Sequence, residues 1–156
     1  NMHLEQVDIA PLLQRIADSA TNAAWQQGEV KLVTELPAAL PMVSVDTVRL
    51  EQAVNNLIQN AVRHTPPGGL VALVAAASDT HVSLFVADTG EGISAEDLVH
   101  IWERYYRVAG EQTSSDNAGL GLSLVKDLVE RMGGIVSAES EVGSGSKFTL
   151  KFPIVA

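Results

Sequence analysis

The stretch at residues 55–64 reads NNLIQNAVRH and combines a helical apolar pattern with two asparagines one helical turn apart. Its apolar residues recur at helical spacing and predict one buried helix face, formed by Leu57, Ile58 and Ala61. Asn56 and Asn60 lie beside that face, although asparagine is a poor helix former because its side chain competes for nearby backbone groups. Residues at i and i+4 project to the same side of a helix. The pair therefore indicates either a side that needs amide oxygens or two amides that bridge to neighbouring backbone.

The composition limits the class of protein. The chain has 156 residues, 46% hydrophobic and 19% charged, so we expect one globular domain over residues 1–156. The absence of cysteine excludes a disulfide framework, a zinc-thiolate site and a cysteine nucleophile. The longest apolar run, LVALVAAA, is far shorter than the roughly 20 residues that cross a bilayer. The opening, NMHLEQVD, has no signal peptide and resembles the interior of a longer chain. With the absence of cysteine, we therefore expect a cytoplasmic domain excised from a longer protein, without direct membrane contact in this fragment.

The net charge of −9 argues against nucleic acid as a partner, since surfaces that bind nucleic acid are normally basic. It does not exclude a small phosphorylated ligand. Carboxylates more than about 8 Å away are largely screened at physiological salt, so the residues near the site determine whether a phosphate can bind.

The elements around the first stretch alternate between helix and strand. Asp46 can cap a helix that runs to about His64, and PPGG at residues 66–69 ends it. LVALVAAAS and HVSLFVAD then read as two strands joined by a polar turn. The closing segment, IVSAESEVGSGSKFTLKFP, reads as a hairpin.

The remaining elements complete the predicted fold. EQVDIA, VKLVTEL and PMVSV read as strands, and Pro11 suits the first turn of a helix whose apolar face is Leu12, Leu13, Ile16, Ala20, Ala23 and Ala24. A third helical stripe comprises Leu120, Leu124, Leu128 and Met132. We expect an α+β fold, a two-layer α/β sandwich whose mixed, mostly antiparallel sheet is covered on one face by three helices.

Three further segments could carry chemistry. In VADTGEGIS, Asp88 ends a buried strand and is followed by Gly90 and Gly92, which let the backbone bend around a flat ligand, although DTG alone favours a strand that simply ends in an Asp turn. In AGLGLSLV, Gly119 and Gly121 open a helix, and exposed amides at a helix N-terminus attract phosphate. In VGSGSKFTLKF, the glycines alone predict only a hairpin turn.

The order and spacing of these segments closely resemble the ATP-binding catalytic domain of bacterial two-component sensor histidine kinases, from about residue 7 to residue 153. LEQAVNNLIQNAVRHT is similar to that family's N box, VADTGEGI to its G1 box, IWERYYR to its F box, AGLGLSLVK to its G2 box and GSGSKFTLKFP to its final glycine motif. The resemblance implies the Bergerat-type ATP-binding fold shared with gyrase, heat-shock chaperones and mismatch-repair proteins.

The resemblance also implies the roles of individual residues. Asn56 and Asn60 would face the triphosphate as catalytic residues, with Asn60 the direct Mg²⁺ ligand. Asp88 would accept a hydrogen bond from the adenine amino group. The remaining ATP-binding residues would be Arg63, His64, Gly90, Gly92, Ile93, Arg107, Gly119, Leu120, Gly121 and Leu122.

The implied reaction is transfer of the γ-phosphoryl group of Mg·ATP to a histidine on a separate dimerisation domain, and then to an aspartate of a response regulator. An ATPase of the same superfold is the first alternative. Such ATPases have a glutamate base where this chain has Asn56, and an amide has no basic electron pair to offer at neutral pH. A non-catalytic nucleotide-sensing module is the second alternative, against which the intact Asn60, Asp88, Gly119 and Gly121 argue.

Some positions depart from the family pattern or lie at the periphery. Trp102 stands where the F box usually has phenylalanine, and Ala118 replaces a residue that often carries a hydroxyl.

Residues 108–117, VAGEQTSSDN, have too few apolar side chains to offset the entropy of ordering, and we expect a lid that nucleotide orders. We expect Trp25 to pack the first helix, and His81 and His100 to lie at the surface.

Overall fold

The computed structural model describes residues 1–104, 106 and 121–156. The described elements are β1 (Glu5–Val7), α1 (Ala10–Gly28), β2 (Lys31–Glu35), β3 (Val43–Val45), α2 (Thr47–His64), β4 (Leu70–Ala77), β5 (His81–Asp88), α3 (Ala95–Leu98), α4 (Gly121–Arg131), β6 (Ile135–Glu141) and β7 (Gly145–Pro153). The predicted lid and Arg107, Gly119 and Leu120 lie outside these residues.

The main sheet has five strands in the order β2-β4-β5-β7-β6. β2 is parallel to β4, and every other neighbouring pair in this sheet is antiparallel. β1 and β3 form a separate antiparallel pair. The three longer helices pack together and against this sheet, which confirms the predicted α+β sandwich. Every helix among the described residues is too short or too polar to cross a lipid bilayer.

Strand alternation brings the end of β5 into the layer between sheet and helices. Val82, Leu84 and Val86 are fully buried, and Asp88 continues their alternation at the last position of the strand. Asp88 is also the cross-strand partner of Ser146 at the start of β7. A carboxyl group is therefore placed at the edge of the hydrophobic core.

The predicted cap and apolar face of α2 are confirmed. Asp46 accepts a hydrogen bond from the backbone N–H of Arg49 at 3.1 Å, which satisfies one of the donors left unpaired at a helix N-terminus. The buried face comprises Leu50, Ala53, Val54, Leu57, Ile58, Ala61 and Val62. At the other end, Thr65 is extended and ends the helix. The helix thus holds the two asparagines and Arg63 along one edge of the core.

Two predictions near the N-terminus differ from the structure. The predicted strand EQVDIA ends early, at Val7, because the Asp8 carboxylate accepts hydrogen bonds from the backbone N–H groups of Ala10 and Leu40, at 2.9 and 3.0 Å, and turns the chain into α1. The prediction that Trp25 packs the first helix is wrong, since 57% of its surface is exposed. Trp25 follows the buried Ala24 directly, and one residue is about 100° of helical rotation away from that buried stripe.

Candidate functional site

An open cleft lies between the C-terminal half of α2 and the ends of β5 and β7. It encloses about 840 Å³ of space, part of it open to solvent. Its described lining residues are Asn56, Gln59, Asn60, Arg63, His64, Asp88, Glu91, Gly92, Ile93, Ile101, Tyr106, Gly121, Leu122, Ser146 and Phe148. The structure thus brings nine of the predicted site residues to one cleft, while Gly90, in the loop between Asp88 and Glu91, is not among the lining residues.

Asp88 is the buried polar group of this cleft, with 8% of its surface exposed. Its Oδ1 atom accepts hydrogen bonds from the backbone N–H groups of Gly90, at 2.9 Å, and Ser146, at 3.3 Å. Burial raises the pKa of the Asp88 carboxyl group, and the two backbone hydrogen bonds oppose that rise. Both of these hydrogen bonds end on Oδ1. Among the described residues none is seen to donate to Oδ2, so this atom can accept a hydrogen bond from a ligand.

The loop after Asp88 is pressed between α2 and the turn that joins β6 to β7. A Cβ atom on Gly90 would lie 2.4 Å from the carbonyl oxygen of His64, and one on Gly92, at φ +79°, would lie 2.2 Å from that of Glu141. The backbone N–H of Gly143 also donates to the carbonyl oxygen of Glu91 at 2.8 Å. These contacts give a structural reason for glycine at both loop positions, because any side chain would separate the segments.

The β6–β7 turn contributes to the site as well as forming a hairpin. Gly145 has a φ of +107°, and a Cβ atom there would lie 1.9 Å from the carbonyl oxygen of Asp88. Ser146, the next residue, donates its backbone N–H to the Asp88 carboxylate. The glycines in the sequence predict only a turn. The contact of the β6–β7 turn with Asp88 is known only from the structure.

The α2 edge of the cleft is polar and partly exposed. The Arg63 side chain donates from Nη2 to Oδ1 of Asn60 at 3.2 Å. His64 Nδ1 lies 3.4 Å from Oε1 of Glu91. An amide oxygen is a hard, neutral ligand, and Mg²⁺ is usually held by one or two protein oxygens together with substrate phosphates. The Asn56 and Asn60 side chains supply that donor chemistry, so these residues fit a magnesium ion that binds together with a phosphate ligand.

Aromatic side chains border the cleft on the side of α3. The Tyr106 hydroxyl donates to the Asp97 carboxylate, and this hydrogen bond raises the pKa of Tyr106 to about 12. The Tyr106 ring stacks on His100 with centroids 5.0 Å apart, and His100 is half exposed as predicted. Trp102 packs edge-to-face against Phe148 at a centroid distance of 5.9 Å. The larger aromatic at the F-box position is therefore joined to the core below the cleft.

Sequence reasoning missed six lining residues: Gln59, Glu91, Ile101, Tyr106, Ser146 and Phe148. Strand alternation in β7 could have placed Ser146 on the same face as the buried Phe148, because the two are two residues apart. Glu91 and Tyr106 lie in irregular segments that carry no periodic signal.

Comparison with known proteins supports one family. The sequence model described as "Histidine kinase-, DNA gyrase B-, and HSP90-like ATPase" matches residues 45–156. The chain is 39% identical to the sensor protein DivL of Caulobacter vibrioides over 152 residues, which cover 97% of this chain and 19% of that protein. It is 32% identical to the adaptive-response sensory kinase SasA of Synechococcus elongatus over 150 residues, covering 96% of this chain and 38% of that protein. The chain thus spans about a fifth to two-fifths of these relatives.

Solved structures agree with the sequence comparisons. Full-length ShkA in complex with AMPPNP superposes with a TM-score of 0.79 at 34% identity, covering all of this chain and 32% of that one. The mycobacterial sensor histidine kinase MprB superposes with a TM-score of 0.77 at 25% identity, covering 97% and 98% of the two chains. From this fold and these matches, the chain belongs to the histidine kinase-, DNA gyrase B- and HSP90-like ATPase family, as an ATP-binding catalytic domain of the sensor histidine kinase type.

Proposed function

We propose that this domain binds Mg·ATP in the cleft and transfers the γ-phosphoryl group to a histidine on the dimerisation domain of the same sensor kinase. The observation that carries the proposal is that one cleft is lined both by a buried acceptor and by two amides and a guanidinium. The part lined by Asp88 is here named the Asp88 end, and the part lined by Asn56, Asn60 and Arg63 the α2 end. A purine with a triphosphate needs this combination of a small polar acceptor and a cationic, oxygen-rich end.

The adenine ring would lie at the Asp88 end. The Oδ2 atom of Asp88 can accept from the exocyclic amino group while Oδ1 stays bound to the protein backbone. The apolar side chains that line the cleft belong to Ile93, Ile101, Leu122 and Phe148. These residues would bury the ring faces and exclude water.

The triphosphate would lie along α2 and the start of α4. Arg63 and His64 would neutralise phosphate charge, and the N-terminus of α4, which begins at Gly121, would offer backbone N–H groups. Arg107, Gly119 and Leu120 remain proposed phosphate contacts outside the described residues. A magnesium ion held by Asn60 would neutralise charge on the phosphates that is otherwise repelled by the acidic chain.

Transfer is favoured over hydrolysis by the residue types along α2. Phosphoryl transfer needs mainly positioning and charge neutralisation, which Asn56, Asn60 and Arg63 can supply. Hydrolysis needs a base to orient water, and the amide of Asn56 has no basic electron pair. The AMPPNP bound to ShkA supports an ATP-type ligand for a similar domain.

The acceptor histidine is proposed to lie on a separate domain. The family's acceptor histidine is followed by an acidic residue, whereas His3, His64, His81 and His100 are followed by Leu4, Thr65, Val82 and Ile101. A response regulator would then receive the phosphoryl group. We also propose that residues 1–156 form a single, cytoplasmic catalytic domain of a larger sensor.

Labelled phosphate transfer tests this proposal. The chain is incubated with γ-labelled Mg·ATP alone and with a separately prepared dimerisation domain of its own kinase. We expect an acid-labile phosphoryl group on the dimerisation domain and none on this chain. Asp88→Asn serves as the control that should lower transfer by weakening ATP binding. Acid-labile labelling of the isolated chain would contradict the separate acceptor, and free phosphate release without labelling of the dimerisation domain would favour the ATPase alternative.

A further inference from the structure

Ser140, near the end of the edge strand β6, joins three segments behind the Asp88 end of the cleft. Its hydroxyl oxygen lies 2.7 Å from the backbone nitrogen of Ile93, 2.9 Å from the carbonyl oxygen of Gly145 and 2.9 Å from the hydroxyl oxygen of Ser146. Ile93 belongs to the loop after Asp88, and the other two partners begin β7. Ser140 itself is not among the residues that line the cleft.

The directions of these hydrogen bonds follow from the groups involved. A serine hydroxyl has one hydrogen and two acceptor sites. The N–H of Ile93 uses one acceptor site of Ser140, and the carbonyl oxygen of Gly145 can only accept, so it takes the hydrogen of Ser140. The Ser146 hydroxyl must then donate to the second acceptor site of Ser140. This arrangement leaves Ser146 Oγ with only acceptor capacity to offer to the cleft.

The same residue also holds the carboxylate. The backbone N–H of Ser146 donates to Asp88 Oδ1, so the position of β7 that Ser140 fixes is also the position that orients Asp88. Ser140 thereby presents two acceptors to the cleft, namely Oδ2 of Asp88 and Oγ of Ser146. Two acceptors can receive hydrogen bonds from the two hydrogens of a 6-amino group. They repel the oxygen of a 6-oxo group, which is itself an acceptor.

We propose that Ser140 is a positioning residue that sets the base preference of the cleft, making it select a 6-aminopurine over a 6-oxopurine through the hydroxyl direction of Ser146. The inference rests on the proposed function only in assuming that the cleft binds a purine nucleotide. Ser140 acts through Ser146 and Asp88 and does not touch the base.

Calorimetric titration with ADP and inosine diphosphate tests this inference, because the two nucleotides differ at the 6-position of the base. Wild type should prefer ADP. Ser140→Ala should weaken ADP by about three- to tenfold, the range expected for loss of one hydrogen bond. It should not weaken inosine diphosphate to the same extent, because the freed Ser146 hydroxyl can turn its hydrogen towards a 6-oxo group. The ratio of the two affinities should therefore fall.

Matched variants separate positioning from general loosening. Ser137→Ala removes an exposed serine of the same strand, three residues away and therefore on the opposite face, and should leave the ratio at the wild-type value. In Ser140→Ala combined with Ser146→Ala, no hydroxyl remains to turn, so inosine diphosphate should lose its relative gain. Ser140→Cys fills similar space with a weak hydrogen-bonding group and carries the same prediction if Ser140→Ala does not fold.

The outcomes distinguish a failure of the proposed function from a failure of the role proposed for Ser140. Absence of ADP binding by wild type would overturn the proposed function. ADP binding by wild type together with an unchanged ratio in the folded Ser140 variant would overturn the role of Ser140 alone.

Discussion

The two ends of the cleft are built in different ways. At the Asp88 end, a carboxylate with 8% of its surface exposed is held by backbone N–H groups. There, Gly90, Gly92 and Gly145 let separate backbone segments meet at distances that no Cβ atom would allow. At the α2 end, the hydrogen bond between Arg63 and Asn60 joins two side chains, and Arg63 is exposed.

The two kinds of construction indicate which part of the site is formed before a ligand binds. Backbone hydrogen bonds and close-packed glycines fix the Asp88 end without a ligand, so a base binds there at a smaller ordering cost. Exposed side chains keep rotamer freedom that a ligand must remove. We infer a preformed base pocket joined to a phosphate end that the ligand completes.

The largest effect should follow from breaking the preformed end at Gly145. Gly145→Ala places a Cβ atom 1.9 Å from the carbonyl oxygen of Asp88 at a φ of +107°, so we expect a loss of stability on the order of 3 kcal/mol and loss of ATP binding. Urea unfolding measures the first effect. Gly143→Ala is the matched control, because its φ is +86° but no described atom lies within 4 Å of the added Cβ. Equal losses in the two variants would show that backbone strain alone matters.

The next effect should come from the charge at Asp88. A charge-assisted hydrogen bond to the base contributes about 1.5 to 3 kcal/mol, so Asp88→Asn should weaken ATP and ADP alike by about 10- to 150-fold. Calorimetry checks both nucleotides. Unchanged affinity in a folded variant would remove Asp88 from the base pocket.

The same substitution should change the stability of the free protein in the opposite direction. Burial raises the pKa of Asp88 above its unfolded value of 3.8, so the folded state binds more protons than the unfolded state between those two pKa values. Stability from this group is therefore greatest in acid and falls as the pH rises through that window. Unfolding of wild type and Asp88→Asn from pH 3 to pH 7, values chosen to span roughly that window, should show the variant gaining relative stability as the pH rises. A constant difference would show that burial does not disfavour the charge.

A smaller and more selective effect should come from the phosphate end. Asn60→Ala should remove most of the Mg²⁺ dependence of ATP binding and leave adenosine binding nearly unchanged, because the amide oxygen is proposed to hold the metal and not the base. Titrations with and without Mg²⁺ test this. Asn55→Ala, on the same helix but outside the cleft lining, is the control. An Asn60 variant that keeps the full response to Mg²⁺ would assign the metal to another ligand.

The smallest effect on ATP affinity should come from Trp102. Trp102→Ala removes the edge-to-face contact with Phe148, which is worth about 0.5 to 1.5 kcal/mol beyond burial, and should lower stability while changing ATP affinity by less than about threefold. Trp102→Phe, which keeps an aromatic ring at this position, should retain most of that stability. A larger loss of affinity than of stability would place Trp102 in the ligand site itself.

The two ends also differ in how far the sequence predicts them. The amide pair of α2 follows from local helical periodicity, and the end of β5 follows from strand alternation, so both elements were predicted correctly. The hydrogen bond from Ser146 to Asp88 joins residues 58 positions apart, and the contact of Gly92 with Glu141 depends on how two turns meet. Local patterns carry no information about such contacts. Local patterns can also mislead, as at Trp25. An aromatic residue next to the apolar stripe of a helix was predicted to pack there, but one residue of helical rotation turns it away from the stripe.

Amide hydrogen exchange with and without AMPPNP and Mg²⁺ shows whether the base pocket is formed before nucleotide binds. We predict that the backbone amides of Gly90 and Ser146 are already protected in the free protein, since both are bonded to Asp88. Amides at the start of α4, from Gly121 onward, should gain protection only when the nucleotide binds. Fast exchange at Gly90 and Ser146 in the free protein, with protection appearing at both ends together on binding, would contradict a preformed base pocket.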